Sequence, residues 1–141
     1  MRQRNPQQPK GSMLMIWREL LCVAMGGAAG ALSRYAISVL AMRWLGAAFP
    51  YGTLLVNVAG CFLLGLIGQY ALERTPPAWL YSGLTAGFLG ALTTFSTFSY
   101  ETLRRFEVGE TGVAMLNVAA NLALGFAAVA LGIWMARVAD A

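Results

Sequence analysis

Four apolar windows constrain this chain more than any other feature, because each is long enough to cross a membrane as a helix. They cover residues 20–44, 51–72, 79–100 and 113–136. The hydrocarbon core of a bilayer needs about 20 apolar residues per helix, so four crossings use most of the 141 residues. The composition agrees, with 58% hydrophobic and 11% charged residues. The sequence therefore predicts an all-α membrane protein with four transmembrane helices in a lipid bilayer and no large soluble domain.

The beginning of the chain differs from the rest. Residues 1–12 are polar, contain two prolines and carry Arg2, Arg4 and Lys10, which supply much of the net charge of +4. Such a segment cannot bury enough apolar surface to fold by itself, so we expect a disordered tail rather than a nucleic-acid-binding arm. Residues 13–141 are predicted to form the transmembrane domain.

Charges at the ends of the windows favour neither orientation in the membrane. Four crossings would place the N-terminus, the second loop and the C-terminus on the same side. Each side then carries three arginines near the helix ends: Arg18, Arg74 and Arg137 on one, and Arg43, Arg104 and Arg105 on the other. Because cytoplasmic loops normally hold the excess of lysine and arginine, this balance favours a chain that inserts both ways up. Two opposed copies can pair about a two-fold axis in the membrane plane, so we expect an antiparallel, dual-topology homodimer.

The third window contains polar residues that a lipid-facing helix could not tolerate. Residues 90–101 read Gly-Ala-Leu-Thr-Thr-Phe-Ser-Thr-Phe-Ser-Tyr-Glu. Unpartnered hydroxyl groups are costly in hydrocarbon, so these groups should face protein, water or an ion. Glycine and two adjacent β-branched residues also weaken regular helix between Gly90 and Thr94. We therefore predict a third helix that is broken in this stretch and lines a binding or permeation site.

Polar residues also mark one face of the second and fourth helices. Thr53 and Asn57 are four residues apart in the second window, and Asn117 and Asn121 are four apart in the fourth. This spacing places each pair on one helical face. Each asparagine could simply bond a neighbouring helix. Four such side chains beside the hydroxyl groups of the third helix favour a shared polar track.

Two phenylalanines accompany the hydroxyl groups. Phe95 and Phe98 are three residues apart, hence on one helical face, and such a pair is often plain packing. Beside Thr94, Ser96 and Thr97, the rings would instead border a polar path. The electropositive edge of a benzene ring can face an anion without offering a full charge that would trap it.

Two charged residues need a role at membrane depth or near it. Arg34 lies well inside the first window, where it either attracts anions into an aqueous vestibule or forms a salt bridge near the helix end. Glu101 closes the hydroxyl run near one interface. No window has a carboxylate at its centre.

The residue types do not suggest an enzyme. The chain has no histidine, which is the commonest general base and zinc ligand. Cys22 and Cys61 lie in apolar stretches without the spacing of a redox or metal pair, and we interpret them as small hydrophobic residues.

Taken together, these motifs resemble the Fluc or CrcB family of fluoride channels. The matching stretches are Gly-Ala-Leu-Ser-Arg-Tyr at 30–35, Gly-Thr-Leu-Leu-Val-Asn-Val-Ala-Gly at 52–60, and Gly-Phe-Leu-Gly-Ala-Leu-Thr-Thr-Phe-Ser-Thr-Phe-Ser-Tyr-Glu-Thr at 87–102. The resemblance covers nearly everything after the first dozen residues. It implies that residues 13–141 form a channel domain that exports fluoride passively across a bacterial inner membrane, as a dual-topology homodimer with two pores.

The resemblance also implies roles for particular residues. Asn57 corresponds to the pore asparagine, and Phe95 and Phe98 to paired rings that different subunits contribute to each pore. Gly90 and Thr93 match a helix break whose backbone carbonyls, from both subunits, hold a structural sodium ion. The other polar positions along the implied path are Thr53, Ser96, Thr97, Glu101, Asn117 and Asn121, with Arg34 at the vestibule. This chain departs from some members, which carry a tyrosine or serines where Asn117, Asn121 and Gly125 stand.

A small four-helix, proton-coupled multidrug exporter is the alternative function, because it shares the size, the glycine content and the dual topology. Such an exporter needs a titratable carboxylate in its first helix, whereas the first window offers Arg34, with Glu19 at its edge. A non-transporting assembly subunit is a further alternative. Fluoride efflux without a proton gradient would separate a channel from both.

Overall fold

The computed structural model describes residues 10–139, with side chains described from Met13 onward. Helices are the only regular structure in this part of the chain. In chain order they are α1 (Lys10–Leu45), α2 (Tyr51–Arg74), α3 (Ala78–Ser82), a π-helical segment (Gly83–Leu89), α4 (Gly90–Leu92), α5 (Phe95–Glu107) and α6 (Thr111–Ala139). Elements α3 to α5 together are the predicted third helix, so the described residues form the predicted all-α arrangement of four helices.

Helix α1 begins at Lys10, ten residues before the first apolar window. The last three residues of the predicted tail, 10–12, therefore belong to this helix, and the predicted disorder of residues 1–9 lies outside the described part. The extension has a simple cause. Helix formation does not stop where hydropathy falls, because Leu, Met, Arg and Glu all have high helix propensity.

Connections between the helices carry the residues that end them. Pro50 directly precedes α2 and Pro77 directly precedes α3, positions that suit a residue without a backbone N–H. Helix α5 continues to Glu107, beyond the third apolar window, which ends at residue 100. Arg104 Nη1 donates to Glu107 Oε2 at 2.6 Å within the last turn, and such pairs three residues apart support a helix beyond its apolar region.

The third helix is broken, as predicted. Thr93 has φ −82° and ψ 155°, and Thr94 has φ −152° and ψ 115°, so both adopt extended rather than helical backbone. The π-helical segment precedes the break and widens the helix just before it ends. π-helical turns are rare and occur often at functional sites.

Packing brings the four helices around this break. Helix α2 packs mainly against α6, and α1 packs mainly against the π-helical segment. The second contact needs glycine, because a Cβ atom at Gly26 would collide with the carbonyl oxygen of Gly83, and one at Gly30 with that of Phe88. These small residues of α1 place backbone against backbone where lipid supplies no hydrophobic drive for association.

The helices have the dimensions of a membrane protein. Within the described part, three helices are long and apolar enough to cross a bilayer: Met13–Leu45, Tyr51–Arg74 and Thr111–Ala139. The third helix does not qualify as one span because the break divides it. Large apolar side chains such as Trp44, Leu72 and Phe126 are exposed on the outside, which is the arrangement that a lipid environment stabilises.

Candidate functional site

The break at Thr93 and Thr94 organises the candidate site. Thr94 is buried and is the N-cap residue of α5, where its hydroxyl oxygen accepts a hydrogen bond from the backbone N–H of Thr97 at 3.1 Å. The same oxygen lies 3.0 Å from Thr97 Oγ1 and 3.2 Å from Ser96 Oγ. Predicted site residues Ser96 and Thr97 therefore belong to a hydroxyl cluster at the start of α5, and both are exposed. A side-chain cap of this kind stabilises a helix start inside the membrane.

Asn57 of α2 bonds both backbone groups of Thr94. The N–H of Thr94 donates to Asn57 Oδ1 at 2.9 Å, and Asn57 Nδ2 donates to the Thr94 carbonyl oxygen at 3.3 Å. In a continuous α-helix that N–H would bond the carbonyl oxygen of Gly90 instead. Asn57 thus replaces helical bonding at the break, which satisfies backbone groups that could not stay unpaired in the membrane.

The predicted polar faces of α2 and α6 do meet at this point. Asn57 Nδ2 also donates to Asn121 Oδ1 at 3.0 Å. Asn121 Nδ2 in turn donates to Asn117 Oδ1 at 2.9 Å and to the Asn117 carbonyl oxygen at 3.0 Å. Asn117 is fully buried and its Nδ2 donates to Thr102 Oγ1 at 2.8 Å. The three asparagines therefore form one continuous chain of hydrogen bonds.

Sequence reasoning missed two members of this network. The sequence pattern assigns no role to Thr102, although this residue ends the motif at 87–102, and it does not identify Thr94 as a helix cap. The available signal for Thr102 was its place four residues after Phe98, whose carbonyl oxygen accepts from Thr102 Oγ1 at 2.7 Å. Nothing in the sequence indicated that Asn117, in another helix, would donate to the same hydroxyl.

A cavity of about 370 Å³ opens beside the break. Its lining residues include Asn57, Asn121, Thr94, Gly90, Thr93, Phe95 and Phe98. The two rings are 5.7 Å apart between centroids and inclined at 49°. Phe95 is 80% exposed although it lies at the centre of the polar residues. The structure thus brings amide donors, ring edges and the break to one open face.

Backbone carbonyls at the break suit a monovalent cation. Gly90 and Thr93 line the same cavity. The Thr94 N–H, which would bond the Gly90 carbonyl oxygen in a continuous helix, bonds Asn57 Oδ1 instead. The described residues contain no cluster of three or more His, Cys, Asp and Glu side chains that could hold a metal. Carbonyl oxygens without carboxylates match a weakly charged ion such as sodium better than a divalent ion.

Thr53 and Glu101 lie in a different cavity, of about 280 Å³. Ser38, Arg104 and Arg105 also line it. Glu101 Oε2 is buried and has no hydrogen-bond partner among the described residues, which is costly for a carboxylate unless water or an ion reaches it. Arg34 is half-buried on α1 and lines neither cavity. Its predicted vestibule role stays a prediction.

The carboxylate on which the exporter alternative depended lies elsewhere. Glu19 is half-buried and accepts a hydrogen bond from Ser82 Oγ. The neighbouring Arg18 guanidinium lies 4.3 Å from the ring centroid of Trp79. These contacts join α1 to α3, and Glu19 lines neither of the two polar cavities. Glu19 therefore serves helix pairing in this structure.

The fold and the site define a helical membrane protein with a polar site at a broken helix. Residues 21–133 match the family described as CrcB-like protein, Camphor Resistance (CrcB), and the chain belongs to this family. A relative from Geobacter metallireducens is 50% identical over 119 residues, which cover 84% of this chain and 96% of the relative. A relative from Acidobacterium capsulatum is 51% identical over 114 residues, which cover 79% of this chain and 90% of the relative. One from Dehalococcoides mccartyi is 48% identical over 118 residues, covering 83% and 91%.

All three relatives carry the name fluoride-specific ion channel FluC. The family recognised from the sequence motifs is thereby confirmed. Its curated members are named as channels rather than as enzymes, in agreement with the expectation from the residue types.

Proposed function

We propose that this protein is a fluoride-selective channel that lets fluoride leave a bacterial cell passively across the inner membrane. The observation that carries the proposal is the meeting of the Asn57 amide with Phe95 and Phe98 at one cavity beside the break. The relatives named as fluoride-specific ion channels support the choice of ion. The bacterial origin of these relatives supports the choice of membrane.

The chemistry of the cavity suits a small, strongly hydrated anion. Fluoride can leave water only if donors replace its hydration shell at several weak sites, because one deep site would bind the ion without releasing it. Asn57, Thr94 and Asn121 line the cavity and carry neutral hydrogen-bonding groups. Ring edges add positive electrostatic potential without a full charge. Among the residues whose side chains the structure describes, no lysine lines this cavity.

The proposed assembly is an antiparallel homodimer with two pores. The exposed ring of Phe95 and the open cavity support a second protein surface at this face, since an exposed polar site is unstable against lipid. In the dimer, Phe95 and Phe98 of different subunits would border each pore. The balance of arginines at the two membrane sides supports opposite insertion of the two copies.

A structural sodium ion is proposed on the dimer axis. Two copies would supply the carbonyl oxygens of Gly90 and Thr93 twice, which completes a shell of hard oxygen donors. The ion would offset the negative charge of fluoride in two neighbouring pores. Its role would be structural and electrostatic, and it would not be transported.

Fluoride efflux from proteoliposomes tests the channel directly. Vesicles loaded with fluoride or chloride are diluted into ion-free buffer without a proton gradient, and an ion-selective electrode follows release. The proposal expects fast fluoride release and chloride retention. Fluoride release that requires a proton gradient, or equal release of chloride, would refute it.

Topology and the cation need separate measurements. Single cysteines at each terminus, labelled in sealed vesicles, should react from both sides if the protein inserts in both orientations, and labelling from one side alone would contradict dual topology.

Replacing sodium with a large organic cation should lower fluoride efflux. Full activity without sodium, together with no density on the dimer axis, would exclude the structural ion.

A further inference from the structure

We propose that Thr102 is a positioning residue for the pore, which acts on Asn57 through Asn117 and Asn121. This inference rests on the proposed function for its consequence in transport. Thr102 is 8% exposed and lines neither of the two polar cavities. Its hydroxyl nevertheless ends a relay of hydrogen bonds that runs from the Thr94 backbone through Asn57, Asn121 and Asn117.

At each end of this relay, the backbone group can act only as a donor or only as an acceptor. At one end, the carbonyl oxygen of Phe98 can only accept, so the Thr102 hydroxyl hydrogen points towards it, at an oxygen distance of 2.7 Å. The Thr102 oxygen is then left as an acceptor for Asn117 Nδ2. At the other end, the N–H of Thr94 can only donate, so Asn57 must present Oδ1 to it.

Each amide between these ends consequently has one favourable orientation. Because Asn117 directs Nδ2 to Thr102, its Oδ1 faces Asn121 as an acceptor. Asn121 directs Nδ2 to Asn117 Oδ1 and to the Asn117 carbonyl oxygen, and it directs Oδ1 to Asn57. A flip of any one amide would set donor against donor or acceptor against acceptor, and buried groups left unpaired in this way are costly.

The relay leaves one hydrogen of Asn57 available for exchange. Asn57 Nδ2 donates to Asn121 Oδ1 at 3.0 Å and to the Thr94 carbonyl oxygen at 3.3 Å. The longer bond is the weaker one, and Asn57 lines the cavity beside the break. An anion in this cavity can accept a hydrogen bond from that hydrogen in place of the Thr94 carbonyl oxygen, while Asn121 Oδ1 continues to accept from the other hydrogen. Thr102 supports this arrangement because it determines which end of Asn117 faces Asn121, in addition to the Asn117 carbonyl oxygen, which holds Asn121 Nδ2 from the backbone.

Thr102→Val removes the hydroxyl at nearly constant volume. We expect fluoride efflux per folded dimer to fall about two- to tenfold, which corresponds to the net worth of one buried hydrogen bond. Thr102→Ser keeps the hydroxyl and should restore most of the flux. The matched control is Ser99→Ala, because Ser99 Oγ also donates to the carbonyl oxygen four residues earlier, that of Phe95, at 2.9 Å. Ser99→Ala should conduct at the native rate.

A double substitution separates positioning from a general loss of stability. Asn121→Leu cuts the relay between Thr102 and Asn57. If Thr102 acts through Asn121, Thr102→Val should cause no further loss of flux per folded dimer in the Asn121→Leu protein. If the two losses multiply, Thr102 acts by another route and the relay is refuted.

A measurement that does not depend on transport completes the test. The chain has asparagine at positions 5, 57, 117 and 121, so protein labelled with ¹⁵N-asparagine gives few side-chain amide signals. Thr102→Val should shift the signals of Asn117, Asn121 and Asn57, whereas Ser99→Ala should leave them in place. An unshifted Asn57 signal would overturn the inference. Absence of fluoride flux in the wild-type protein would instead overturn the proposed function, and the NMR result would still decide the relay.

Discussion

The two sides of the break at Thr93 and Thr94 differ in how completely one copy of the chain satisfies them. On the inner side, Asn57 and its partners in α6 are connected by hydrogen bonds of 2.8 to 3.3 Å. On the outer side, Gly90 is exposed, Phe95 is 80% exposed and a cavity of about 370 Å³ remains open.

This difference separates what a single chain can stabilise from what it cannot. The inner side can form within one copy, because the side-chain nitrogen of each of the three asparagines donates to an acceptor in the same molecule. The outer side combines a polar cavity with a large ring, a surface that lipid does not solvate well. We therefore expect substitutions on the inner side to disturb the protomer and those on the outer side to disturb the assembly or the pore.

The largest effect is expected for Asn57→Asp. The carboxylate loses the donor towards the cavity, faces the Thr94 carbonyl oxygen and repels an anion, so fluoride flux should fall by at least about a hundredfold. Efflux from proteoliposomes measures the loss, and size-exclusion chromatography checks that the variant elutes at the same volume as the wild-type protein.

Gln69→Glu is the matched control for this change, because it makes the same amide-to-acid replacement on the same helix at an exposed bond to Glu73. It should conduct normally. Native flux in a correctly folded Asn57→Asp protein would refute the pore assignment of Asn57.

A smaller effect is expected when either ring is replaced by isoleucine. Phe95→Ile and Phe98→Ile keep apolar bulk but delete the electropositive edge, so flux should fall about three- to tenfold while chloride stays excluded. Since Phe95 is 80% exposed and Phe98 is half-buried, Phe98→Ile should lower the thermal stability of the protein more than Phe95→Ile. Wild-type flux in both variants would show that the two rings serve packing and have no role in the pore.

The smallest effect on transport is expected for Gly60→Ala, which probes the packing of α2 against the break. A Cβ atom at Gly60 would collide with Thr93 Cγ2, so the free energy of unfolding should fall by about 1–3 kcal/mol. Flux per amount of folded protein should change by less than about threefold. At Gly68 on the same helix a Cβ atom meets nothing within 4 Å, so Gly68→Ala is the matched control. Equal stability of the two variants would contradict the close contact between α2 and the break.

Part of the site could be predicted from local sequence. The stretch from Gly90 to Thr94 combines glycine with adjacent threonines, and the break occurs there because weak helix propensity and hydroxyl groups act on neighbouring residues. The spacing of Asn117 and Asn121 likewise placed both on one face of α6. The end of α5 at Glu107 could not be read from hydropathy, because helix propensity and ion pairs extend the helix past its apolar region.

Other parts of the site needed the packed helices. Thr53 and Asn57 share a face of α2, yet they line different cavities, because the break lies beside one and the start of α2 beside the other. Thr102 entered the network only because α6 places Asn117 against α5. No local pattern distinguishes this threonine from one that merely bonds its own helix.

The sequence by itself determined that the chain is helical, where its helices run through a membrane, where the third helix breaks and which polar groups have to be accommodated there. These properties depend on hydropathy and propensity, which act within a few residues along the chain. Only the tertiary structure decided which donor meets which acceptor. Asn57 bonds groups 37 and 64 residues away in sequence, and the direction of each hydrogen bond follows from the two end groups of the relay. These groups are the Thr94 N–H, which can only donate, and the Phe98 carbonyl oxygen, which can only accept. Only the packing of the helices connects them through the three asparagines.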